Sequence, residues 1–230
     1  MKKPAVRIAL VLSVLALAGM AALAAGGHHG IVTSQDGRLS MVKPGATHVK
    51  PWNEPSGATE IAGNLSRYPY GVYFCCYGYT ISGPQSFLGE AYWAAVPFTP
   101  SANYNVTKVE ASVAWGESGP NGVTLSLNND ANGVPGTAIV SDNASNLGDF
   151  GDCCTLVVGQ GSPGVPVNAG TQYWVVISTS AATATTFDAW AFNSTDMRET
   201  YPLAFYNSGS GTWSASTGLL PGYAVYGNAQ

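Results

Sequence analysis

Val109-Glu-Ala-Ser-Val-Ala-Trp115 and Val123-Thr-Leu-Ser-Leu127 decide the fold class. In the first stretch Val109, Ala111, Val113 and Trp115 fall on one side of an extended chain, and Glu110 and Ser112 on the other; in the second, Val123, Leu125 and Leu127 share a side. A period of two marks a half-buried strand, because successive side chains of extended backbone point to opposite faces. Between the two stretches, Gly116-Glu-Ser-Gly-Pro-Asn-Gly122 has turn chemistry, so the pair predicts a hairpin closed by a seven-residue loop.

Working outward, comparable runs predict strands over 90–97, 137–140, 155–158, 173–178, 187–192, 203–206 and 223–226, with turn clusters between nearly all of them. Beyond residue 25 no window longer than about 10 residues reads as an amphipathic helix. The expected fold is all-β: an antiparallel two-sheet β-sandwich, jelly-roll-like, over residues 77–228. Residues 26–76 read as an irregular N-terminal leader, punctuated by Pro44-Gly45, Pro51 and Pro55, and ending in an aromatic stretch from Tyr68.

Residues 1–25 have the form of a secretory signal peptide. Lys2, Lys3 and Arg7 precede an apolar run from Ile8 to Leu17, and the small residues Ala22, Ala24 and Ala25 close it. The expected location is therefore secreted and extracellular, with no membrane span once the signal is cut. Removing the three cations leaves six against 13 carboxylates, a formal net charge of −7. Such a surface repels phosphate backbones, which argues against a nucleic-acid partner. Only 10% of the residues are charged, against about 25% in an ordinary soluble domain, so groups for acid–base chemistry are few.

Gln85-Ser86-Phe87, the 123–127 strand, Asn129-Asp130-Ala-Asn-Gly133-Val-Pro135-Gly136, Val167-Asn-Ala-Gly170-Thr-Gln-Tyr173-Trp174-Val-Val-Ile177 and Gly211-Thr-Trp213 occur in that order. Together they resemble the secreted bacterial β-sandwich modules called choice-of-anchor domains, over about residues 77–228. The resemblance implies a β-sandwich displayed by a C-terminal sorting anchor. This chain ends Tyr223-Ala-Val-Tyr-Gly-Asn-Ala-Gln230, without an apolar tail or basic terminus, so free secretion is expected instead.

The four cysteines form two adjacent pairs, Cys75-Cys76 and Cys153-Cys154. Oxidising surroundings favour disulfides over a zinc site, for which adjacent ligands bite poorly. Cross-pairing would close a loop of about 78 residues and stabilise by roughly 4 kcal/mol. The alternative is a vicinal disulfide in each pair, offering a flat sulfur face to a ligand.

Enzyme motifs are missing. Glu90, Glu110, Glu117, Asp149, Asp152 and Asp188 are the carboxylates at hand, and nothing in the sequence brings two together as a glycosidase requires. Asn128-x-Asp130-x-Asn132-Gly133 resembles half a calcium loop, but Ile139 stands where the bidentate Glu belongs, so a plain turn is expected. Gly116-Glu-Ser118-Gly-Pro120 lacks the context of a nucleophile turn, and His48 lacks that of its base. No catalytic activity and no cofactor are expected.

Binding has positive content. Six Trp, 12 Tyr and seven Phe exceed the needs of one core. Exposed aromatic faces stack on sugar rings while amides bind hydroxyls. The candidates are Tyr68, Tyr70, Tyr73, Tyr77, Tyr79, Trp190, Trp213 and Tyr223, whereas Trp115, Tyr173 and Trp174 are assigned to the core. The expected function is a non-catalytic module binding an extracellular glycan or matrix component. The alternative is a self-assembling structural exoprotein forming a fibre, sheath or matrix. A lesser alternative is Cu(II) or Ni(II) chelation by a mature terminus Gly26-Gly27-His28.

Overall fold

The structure, a computed structural model, describes residues 30–33, 39–42, 59–65, 77–150, 155–159, 164–193 and 200–230. Fifteen strands lie among them: β1 (Gly30–Thr33), β2 (Leu39–Val42), β3 (Thr59–Gly63), β4 (Tyr77–Ser82), β5 (Tyr92–Phe98), β6 (Tyr104–Ser118), β7 (Gly122–Asp130), β8 (Pro135–Ser145), β9 (Thr155–Gly159), β10 (Val165–Val167), β11 (Tyr173–Ser178), β12 (Phe187–Ala191), β13 (Tyr201–Asn207), β14 (Thr212–Gly218) and β15 (Tyr223–Ala229). The one helical element among the described residues is a single 3₁₀ turn, Ala181–Thr183. Every strand-to-strand ladder is antiparallel, so the all-β antiparallel class is present as expected.

The ladders form one continuous network with two arms. One arm runs β14-β13-β5-β11-β7-β8; the other runs β3-β15-β6-β12-β4, with β2 and β1 beyond β4. A single pairing, Ser82 with Tyr92, joins β4 to β5. One apolar core draws on both arms: Tyr79, Ile81, Val109, Val113, Trp190 and Val225 from the second, and Val96, Leu125, Leu127, Val175, Ile177 and Leu203 from the first. The alternation read in the sequence chooses these faces, since each inward residue removes apolar area from water at about 25 cal/mol per Å².

The two deciding stretches are strands with the expected inner faces, but they do not form a hairpin. The strand β6 pairs with β15, β12, β9 and β10, whereas β7 pairs with β11 and β8. The connection through Gly119, Pro120 and Asn121 passes from one arm to the other. Period-two patterning specifies which face is buried, not which neighbour is bonded, and both inner faces are satisfied across the core. At Gly119, φ is +72° and a Cβ would lie 2.1 Å from the Thr185 carbonyl oxygen, so only glycine fits this crossing.

A second departure concerns the outer face of β6. Glu110 and Ser112 are buried, not solvated. Glu110 pairs with Lys108, and the Ser112 hydroxyl bridges the Ala191 carbonyl (2.9 Å) and the Gly222 carbonyl (3.2 Å), where β12 ends and β15 begins. A third concerns the leader. Three strands, β1 to β3, fall within residues 26–76, and β2 pairs with β4 while β3 pairs with β15, so part of the leader belongs to the ladder. Strands of four or five residues are too short to carry a sustained periodic signal; their partners supply the order.

Candidate functional site

On the first arm, alternation turns Ala94, Val96 and Phe98 of β5 into the core and leaves Trp93, Ala95 and Pro97 on the opposite face. In β13, Leu203 and Phe205 face inward, so Ala204 and Tyr206 face outward. Register then aligns three rings across three adjacent strands: Trp93 is paired with Tyr206, and Tyr206 with Trp213 of β14. Cross-strand neighbours on one face stand about 5 Å apart at Cβ, close enough for rings to touch. Trp93 and Tyr206 stack with centroids 4.2 Å apart and planes 14° from parallel. Trp213 leans at 57° to Tyr206, 5.7 Å away, and at 48° to Trp93, 6.4 Å away.

The rings are half-buried, so each is fixed by packing yet meets solvent. Trp93 is also tethered by its indole N–H, which donates to Thr179 Oγ1 at 3.0 Å. Next to the rings Ala95, Ala204, Val176 and Trp174 form a second buried cluster, on which Trp213 closes, so the rings rather than this cluster meet solvent. The buried Trp174 is fixed by Asp130. Its Oδ1 accepts from Trp174 Nε1 and from Gln172 Nε2, each at 2.8 Å, and the carboxylate also accepts from the Gly133 amide at 3.1 Å. Burial alone would raise this carboxyl, but the donors from Trp174, Gly133, Gln172 and Asn132 outweigh it and hold its pKa below the ordinary aspartate value. The carboxylate of the apparent calcium half-loop thus accepts from three N–H groups. Asn132 at φ 60° and Gly133 at φ 86° make the segment the plain turn expected.

Of the aromatic residues selected from sequence that lie among the described residues, Trp213 alone belongs to this platform. Tyr79 is buried, edge-on to Phe192 and Phe205 at 4.7 and 4.8 Å, with its hydroxyl donating to the Leu219 carbonyl. Trp190 is wholly enclosed, its indole N–H donating to the Gly222 carbonyl at 2.9 Å. Tyr223 also lies in the core. These three are packing residues and offer no ring face to a ligand. Tyr77 is 39% exposed at the start of β4, away from the Trp93 row. Tyr173 and Trp174 are buried as expected, and Trp115 is half-buried against the core.

Tyr68, Tyr70 and Tyr73, the metal candidates Gly26, Gly27 and His28, and the cysteines Cys75, Cys76, Cys153 and Cys154 lie outside the described residues, as do His48 and Asp152. Trp93 and Tyr206 are not singled out by the sequence, because Tyr92–Phe98 and Tyr201–Asn207 carry aromatic or other apolar residues on both faces and only the register brings the two rings together.

The carboxylates are engaged one by one. Glu90 Oε2 accepts from the Tyr92 hydroxyl (2.9 Å) and from Asn207 Nδ2 (2.8 Å); burial first, then the Glu90 neighbour, raises the Tyr92 phenol above its ordinary value. Glu110 holds Lys108, and Asp188 is enclosed on β12. Among the described residues no three His, Cys, Asp or Glu side chains gather in a way that could hold a metal ion. Comparison with protein-family models, with curated proteins and with solved structures found no match.

Proposed function

We propose that this chain is a secreted, non-catalytic β-sandwich module of the choice-of-anchor kind that binds an extracellular glycan or a glycan-bearing matrix component. The observation that carries the reading is the row of half-buried rings Trp93, Tyr206 and Trp213 on one outer sheet face. Aromatic side chains with one apolar body and few rotatable bonds bind the C–H face of a sugar ring at small entropic cost. Centroid separations of 4.2 to 6.4 Å suit one or two sugar units gripped by a cluster more than a long chain laid over spaced rings. Co-sedimentation with insoluble polysaccharides and titration calorimetry with soluble oligosaccharides test it. Trp213→Ala and Trp93→Ala should each lower affinity at least tenfold with the strand circular dichroism unchanged. Equal affinity in these variants, or no glycan retained by the native protein, would remove the proposal.

Self-assembly remains the second reading, favoured by β8. This 11-residue strand bonds only to β7 among the described residues and is exposed along most of its length, with Ile139 38% accessible. Unpaired strand edges template pairing with other chains. Elution volume that falls as loading concentration rises, and is restored by Ile139→Lys, would favour assembly over ligand binding.

A further inference from the structure

Asp188 is a fully buried carboxyl on β12. It is directly paired with Ile81 of β4 and Trp115 of β6, and shares its face with Trp190 in the core. Its Oδ2 lies 3.1 Å from Thr186 Oγ1, while its Oδ1 meets no hydrogen-bond partner among the described residues. The Thr186 hydroxyl is also bonded to the Pro120 carbonyl, in the crossing between β6 and β7. Proton counting then constrains the cluster. A hydroxyl has one hydrogen, and a carbonyl can only accept, so the Thr186 hydrogen points at Pro120. What remains between Thr186 Oγ1 and Asp188 Oδ2 is a pair of oxygens that attract only if the carboxyl supplies the hydrogen.

We propose that Asp188 is held as a neutral carboxylic acid whose proton closes a latch, Asp188 to Thr186 to the Pro120 carbonyl, fastening β12 to the inter-arm crossing. Ionisation would set two acceptors against one hydrogen and bury a charge that the Gly116 amide offsets only in part. The environment agrees with this. Burial is the dominant influence and pushes the carboxyl well above the ordinary value, against the smaller opposing effects of Thr186 and the Gly116 amide. Among the described residues no cation acts on the group. On β4 the titratable neighbours are Tyr77 and Tyr79; on β6 they are Glu117, in the bulge opposite, and Lys108 and Glu110, which pair with each other; Asp149 bridges the backbone of Trp115.

The folded state therefore binds a proton that the unfolded chain releases above about pH 4. Stability contributed by the latch is complete below that value and falls as pH rises toward the folded pKa, by up to tenfold in the folding constant per pH unit. The latch would make the protein firmest in mildly acidic surroundings. Carbon-13 NMR of the native chain labelled at aspartate carboxyls tests it directly. One aspartate should lose its proton at a pH well above all the others; if every aspartate ionises in the ordinary carboxylate range, the latch does not exist. Urea unfolding from pH 4.5 to 8 supplies the second readout. Asp188→Asn, whose amide can donate to Thr186 as the acid does, should flatten this limb of the pH profile, and an unchanged slope would overturn the proposal.

Discussion

Asn193 Nδ2 donates to the carbonyl of Asn64 across 2.9 Å, joining residues 129 apart in the chain at a wholly buried point. Asn64 in turn donates Nδ2 to the Pro221 carbonyl at 3.1 Å and accepts from the Tyr223 amide at 3.0 Å. The two amides thus bind the ends of β3, β12 and β15 to one another. Asn193→Ala leaves the Asn64 carbonyl without this donor in a dry setting, and should cost about 1 to 3 kcal/mol in urea unfolding. Asn64→Ala should cost at least as much, and the double variant less than the sum of the two.

Trp190 and Trp213 separate packing from platform. Trp190→Ala empties a fully enclosed site and should lower stability by about 3 to 5 kcal/mol, with cooperative unfolding weakened. Trp213→Ala, at a half-buried outer position, should cost less than half as much while removing glycan retention. Thermal melts of both variants beside the polysaccharide assay check the contrast.

Asp130 predicts an acid limb of opposite sign to that of Asp188. Its folded pKa lies below the unfolded value, so its contribution is present above about pH 4 and is lost as pH falls through the folded pKa. Asp130→Asn should reduce the loss of stability between about pH 5 and 3, and should loosen Trp174, whose indole N–H depends on that carboxylate. Urea midpoints over this range, with tryptophan fluorescence as the probe, measure both effects.

Gly222 sits where β12 and β15 meet the back of β6. A Cβ there would lie 2.5 Å from Ser112 Oγ. Gly222→Ala should therefore destabilise by about 1 to 3 kcal/mol through overpacking. Ser112→Ala in the same chain should recover part of that loss, a coupling that a double-mutant cycle of unfolding free energies would reveal.

The amino-acid sequence alone determined which side of each strong strand is buried. Val109 to Trp115 and Val123 to Leu127 carry their period of two locally, so inward and outward positions follow without knowledge of any partner. It also determined the Asp130 to Gly133 turn, because Asn and Gly tolerate positive φ where other residues do not. The tertiary structure decided everything that depends on neighbours. Strand pairing is non-local, and the same alternating pattern serves any register that buries the same face. For that reason β6 and β7 read as a hairpin yet part company across the core, and Tyr79, Trp190 and Tyr223 read as platform candidates yet are enclosed. Only register sets Trp93, Tyr206 and Trp213 side by side, and only the packing of β4 and β6 against β12 places Asp188 out of reach of water.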